Sequence, residues 1–212
     1  MAHVQKIWSL CLLCLLFGGA LPARAGLFSS DDELTEYQGP DAGMLALSLG
    51  AYKGADYSIY NLFFRTHDGG KTGRLTYNLG ARPDYSSAYV AGVVRTYSLQ
   101  PGEYEVYKVE LYFGNGFVEQ HFSSKEPFAI PFTIKPGRSV YLGEFRAMPM
   151  EGRNLFGLPA HAGAKFMLSD QSARDIPIAR QQDTRVADPE IRIPDPAAIG
   201  TPLFERLPAG AP

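Results

Sequence analysis

From Met44 to Ser169 the apolar residues do not recur at helical spacing. They come in short runs of β-branched, aromatic and aliphatic residues, separated by clusters of Gly, Pro, Asn and Asp. That punctuation predicts an all-β domain, an antiparallel β-sandwich of about eight or nine strands. Strands are expected near 43–50, 57–66, 73–79, 92–99, 103–113, 117–123, 128–134, 139–148 and 164–169.

The cleanest alternation is "FAIPFTI". Phe128, Ile130, Phe132 and Ile134 fall on one face because strand side chains alternate with period two, so these four should face the core. Pro131 sits on the other face and has no amide to donate, which places this strand at a sheet edge or a bulge. In "LQPGEYEVYKVELYFGNG", residues 99–116, Pro101-Gly102 suits the centre of a type II turn. The chain then runs out and returns through Gly114-Asn115-Gly116, predicting a hairpin over 103–123. Its alternation breaks: Tyr104 and Val106 share one parity, Tyr107, Val109, Leu111 and Phe113 the other. Either a bulge or burial on both faces would account for that.

After the last strand, "SDQSARDIPIAR" offers Ser169 or Asp170 as an N-cap, and Pro177 limits any helix to a turn or two. The domain is therefore expected over 41–180, with a flexible flank at 26–40 and a Pro-rich, extended or disordered tail at 181–212.

Residues 1–25 read as a secretory leader. Lys6 supplies the basic start, Ile7 to Phe17 the apolar core, and Ala23-Arg24-Ala25 the small residues of a cleavage site before Gly26. The apolar core is shorter than the roughly 20 residues a membrane span needs. Both cysteines, Cys11 and Cys14, lie inside it, so the cleaved chain has no thiol and its fold must rest on its core alone. Cleavage also removes Lys6 and Arg24 from 20 basic residues set against 22 acidic ones, leaving a formal charge of −4. That balance excludes a nucleic-acid footprint, and no second apolar stretch is long enough to span a membrane. The expected location is the periplasm.

The "LQPGEYEVY" turn and strand, followed by "IKPGRSVYLGEF", resembles the punctuation of prealbumin-like and carboxypeptidase-regulatory-like β-sandwich modules, and is similar to that of small bacterial envelope proteins. The resemblance covers about residues 93–147. It implies a non-catalytic unit that presents, binds or supports, and it carries no functional residue across.

Candidate chemistry is sparse. "HDGGKTGR" contains Gly-Lys-Thr, but the glycine a phosphate loop needs five residues before Gly70 is Arg65, so a hairpin turn explains the stretch. His67, His121 and His161 have no ligand-spaced partner, and no serine-nucleophile motif occurs. No cofactor or metal is expected, and no enzyme. The first expected binding surface is the loop 80–92 with Arg82, Asp84, Tyr85 and Tyr89. A second is the tail, where Ile191, Ile193, Leu203 and Phe204 could dock into a partner groove or along a sheet edge, or pack back on their own domain. These features predict a non-enzymatic envelope module that contacts another envelope protein. Alternatively the many tyrosines, if exposed, would stack on a small ligand or a sugar.

Overall fold

The computed structural model describes residues 34, 36–55, 57–114, 119–153 and 155–208. The segment 1–25 read as a leader, most of the flank before Tyr37 and the tip of the 103–123 hairpin lie outside them. The strands are β1 (Gly43–Tyr52), β2 (Ile59–Thr66), β3 (Thr72–Asn78), β4 (Tyr85–Ser86), β5 (Val90–Leu99), β6 (Gly102–Gly114), β7 (Glu119–Ser123), β8 (Ile130–Ile134), β9 (Ser139–Arg153), β10 (Pro159–Ser169), β11 (Glu190–Ile191) and β12 (Phe204–Arg206). Two helices, α1 (Ser172–Gln182) and α2 (Pro196–Ile199), interrupt the C-terminal part.

The strands form two sheets, as expected of a sandwich. The larger runs β12-β10-β9-β1-β5-β4, with β11 also on β9; the smaller runs β3-β2-β6-β7, with β8 also on β6. Most pairings are antiparallel, but β1 with β9, β11 with β9 and β12 with β10 are parallel, so the larger sheet is mixed.

Leu45, Leu47 and Leu49 of β1 face the main core, alongside Tyr60, Leu62 and Phe64 of β2 and Phe145 and Phe166 of β9 and β10. Phe128, Ile130, Phe132 and Ile134 are all buried there too. β8 pairs only with β6, so Pro131 lies on an edge strand, where its missing amide costs no ladder bond. The broken alternation of β6 is a bulge: the register against β2 shifts between Phe63 and Phe64, which face Lys108 and Val106 and leave Tyr107 as the extra residue. Tyr104 and Val106 before it, and Val109 and Leu111 after it, can then all face the core.

Three expectations need correction. Helix α1 has 11 residues, not one or two turns, and Pro177 lies inside it. Pro177 is on the exposed side, where water can serve the carbonyl it leaves unbonded, while Asp175 and Ala179 on the other side are buried against the sheet. The tail is not a loose extension over its described part. After α1 it lays Val186 against the sheet, adds β11 and β12, and buries Phe204 among Phe128, Phe145 and Phe166. Isolated apolar residues among prolines looked unpartnered because their partners come from strands far away in sequence. The flank, finally, is tied down where it is described: the amides of Leu34 and Tyr37 donate to the carbonyls of Thr72 and Ser98.

Candidate functional site

Two places gather unusual side chains: a buried polar cluster under α1, and an open apolar side of the sandwich.

The polar cluster exists because β9 carries a bulge. Strand alternation would put Tyr141 and Glu144 on opposite faces. The register between β1 and β9 shifts, with Ala46 facing Tyr141 and Ser48 facing Glu144, so Leu142 and Gly143 together oppose Leu47. Gly143 takes a φ of 92°, a conformation that only glycine adopts freely. Tyr141, Glu144 and Arg146 therefore share the outer face of the larger sheet, while Leu142, Phe145 and Ala147 face the main core.

Helix α1 covers that face. The fully buried Asp175 accepts from the Ser48 hydroxyl and the Tyr141 hydroxyl at 2.5 Å each, and from Arg174 Nε at 2.7 Å. Glu144, also fully buried, accepts from the Tyr85 hydroxyl at 2.7 Å, Arg146 Nε at 3.0 Å, Ser169 Oγ at 3.1 Å and Arg174 Nη2 at 3.2 Å. Two carboxylates thus face two guanidiniums with hydroxyls filling the remaining lone pairs, the condition under which buried ions are tolerated. Arg174 lies 3.5 Å above the Tyr85 ring. The ring can lie there because Gly50 and Gly92 pair directly across β1 and β5, and a Cβ on either would overlap the Tyr85 hydroxyl. Burial, then the neighbouring carboxylates, push the Tyr85 and Tyr141 phenols well above the ordinary tyrosine range. Every group named is engaged with another, so the cluster reads as the joint that seats α1.

This relocates the loop expected to bind. Tyr85 belongs to the joint and is half-buried. Asp84 accepts from the Val94 amide at 2.9 Å and from Arg95 at 2.5 Å, latching the loop onto β5. Arg82 and Tyr89 are exposed. In the tail, Phe204 is buried, Leu203 packs against the main core, Ile193 packs under the joint against Gly143, and Ile191 is exposed. The tyrosines do not form an exposed stacking set: Tyr57, Tyr60, Tyr77, Tyr104 and Tyr141 are buried.

The second place is where β7 edges one sheet and β10 the other. Strand β12 covers β10 only over Phe166–Leu168, so upstream of it the sandwich is open. A cavity of about 360 Å³ lies between Val109, Leu111 and Phe122 on one side and Met150, Ala162–Lys165 and Thr201–Leu203 on the other. Of its lining, Gly163 donates its amide to the Tyr57 hydroxyl at 2.9 Å and accepts from that hydroxyl at its carbonyl at 3.1 Å, so the polar groups of its backbone are already satisfied. Phe122 meets the Tyr57 ring edge-on at 5.5 Å. Lys125, Glu126 and Lys165 stand at the rim, Lys165 paired with Glu205.

From this cavity the β9–β10 hairpin extends outward. The last β1 partner of β9 is Ala147, and residues beyond it pair only with β10. Beyond the cavity wall at Met150, residues 151–153 at about 3.3 Å each carry the two-stranded ribbon about 10 Å further out. Arg153 Nη1 donates to the Gly157 carbonyl at 2.8 Å and braces the turn. Leu155 and Phe156 at the tip are 101% and 87% exposed, and Met148, Met150 and Leu158 are exposed along it. The sequence signal was available in "MPMEGRNLFGLP", apolar residues that continue past the expected strand end.

Among the described residues no group of three or more His, Cys, Asp or Glu side chains could hold a metal, and no helix is long and apolar enough to cross a membrane. No family model and no curated protein matches the chain. A leucine-rich repeat protein from Bacteroides thetaiotaomicron is similar in structure over 50% of this chain and 14% of its own, at 14% identity and a TM-score of 0.33, too low to carry an argument.

Proposed function

We propose that this chain is a non-enzymatic interaction module of the cell envelope, exported to the periplasm, that docks a protein partner through the tip of the β9–β10 ribbon. The observation that carries the reading is the exposure of Leu155 and Phe156 on a braced turn about 10 Å beyond the cavity wall. Soluble domains rarely leave contiguous apolar groups in water unless something covers them. Between residues 148 and 165 the formal charges are Glu151, Arg153 and Lys165 alone, and the last two are turned to Gly157 and Glu205. Such depletion of charge around aromatic and aliphatic anchors is typical of interface centres. The leader-like pattern of residues 1–25 supports the location.

The test is cross-linking in intact cells followed by mass spectrometry, comparing the native chain with a Leu155→Ser, Phe156→Ser variant. These side chains are exposed, so the domain should fold unchanged while the partner is lost. Equal recovery of the partner with both chains would sink the reading.

A further inference from the structure

The open cavity between β7 and β10 has a chemistry of its own, separate from the ribbon tip. Its walls are aliphatic and aromatic: Val109, Leu111, Phe122, Met150, Ala164 and Leu203. The backbone of Gly163 in that lining is satisfied by the Tyr57 hydroxyl. A ligand portion entering here therefore meets no unpaired backbone group at Gly163 and gains by losing water from its own apolar surface. At about 30 Å³ per small group, about 360 Å³ has room for about a dozen methylenes. The volume also lies within the usual range of small-ligand sites.

The rim differs from the walls. Ser123 and Ser124 line the mouth beside Lys125, whose ammonium makes no ion pair with a described carboxylate, and Lys165 stands across from it, held by Glu205. Glu126 is also at the rim, exposed beside Lys125. An apolar slot with hydroxyls and an uncommitted ammonium at its mouth has the polarity of a single-chain amphiphile with an anionic head. The slot is also open at the side, so a chain can enter without the sheets parting.

We infer that this cavity is a binding site for a single acyl chain carrying a carboxylate head, with the chain between β7 and β10 and the head at Lys125. Met150 closes one wall from the ribbon and Lys125 selects for charge. The ribbon tip is not part of this site, so the inference stands or falls apart from the docking reading.

The experiment is calorimetric titration of the leaderless chain with dodecanoate, below its micelle concentration, and with dodecanol as the uncharged comparison. The native chain should bind one dodecanoate saturably. Met150→Glu, at a residue 40% exposed on the ribbon, should weaken binding at least tenfold by placing a second carboxylate in the wall. Lys125→Ala, at an exposed position, should weaken dodecanoate about tenfold and leave dodecanol unchanged. Absence of saturable binding to the native chain overturns the inference, as it would if the cavity takes a protein partner's apolar side chain instead. Saturable binding that Met150→Glu leaves intact places the chain elsewhere and also overturns it. Equal loss of both ligands in Lys125→Ala overturns the assignment of the head group. Loss of the partner in Leu155→Ser, Phe156→Ser with dodecanoate binding intact, or the reverse, tells the two readings apart.

Discussion

Replacing Asp175 by alanine should remove the joint that seats α1. The carboxylate is fully buried and accepts from Ser48, Tyr141 and Arg174. In its absence two hydroxyls lose their acceptor beneath the helix, and Arg174 keeps the Tyr85 ring and Glu144, the latter shared with Arg146. Each buried hydroxyl left without its acceptor costs about 1–3 kcal/mol, and with the lost pair to the part-exposed Arg174 the total should be about 3–5 kcal/mol. A domain of this size has a total stability of about 5–15 kcal/mol. With a urea m-value of about 2 kcal/mol per molar, the midpoint should fall by roughly 2 M. The one tryptophan, Trp8, lies outside the domain, so the assay is far-ultraviolet circular dichroism in a urea series on a chain starting at Gly26. A midpoint within about 0.5 M of the native value would mean that Asp175 is not holding the helix to the sheet, and the argument from its three hydrogen bonds would be wrong.

Gly92→Ala should expel Tyr85, since a Cβ there would meet the Tyr85 ring and, at 2.5 Å, the Leu49 carbonyl; a Tyr85→Phe variant should be less harmed, losing only the hydroxyl's bond to a charged acceptor, about 1.5–3 kcal/mol. The check is the order of their urea midpoints. A chain ending at Arg180 should lose at least about 3 kcal/mol from the Phe204 site alone, lowering the melting temperature by about 6 °C or more in calorimetry; an unchanged melt would contradict the packed tail. Tyr85, Tyr97 and Tyr141 have phenols raised by burial above the ordinary value of 10.0, so the unfolded chain releases protons first as pH rises. Their contribution is intact below about pH 10 and lost above it, so ultraviolet titration should show these tyrosinates appearing together with unfolding, and their appearance in a folded chain would count against their burial.

The core was legible where burial follows strand period. Phe128, Ile130, Phe132 and Ile134 announce their face, and the parity break at Tyr107 announces a bulge, although which of two causes applied needed the β2 register. The joint was not legible. Glu144 and Arg146 sit two apart with opposite charge, which in a strand looks like a solvated face, and nothing local says that a helix some 30 residues on will cover it. Plain alternation puts Tyr141 and Glu144 on opposite faces, and only the bulge at Gly143, which the sequence does not announce, brings them together. Tyr85 looked like a loop tyrosine free to bind because the two glycines that make room for it are 42 residues apart and meet only through the β1–β5 register. Phe204 was ambiguous for the same reason: its aromatic partners come from three separate strands or loops.

The most direct test of the interaction reading replaces Phe156 with a photoreactive phenylalanine analogue in the intact cell, with the same analogue at Tyr89 as the control, both side chains being largely exposed. Illumination should join one envelope protein to position 156 and not to position 89. No adduct at 156, or the same adducts at both positions, would contradict the claim that the ribbon tip is where this protein meets its partner.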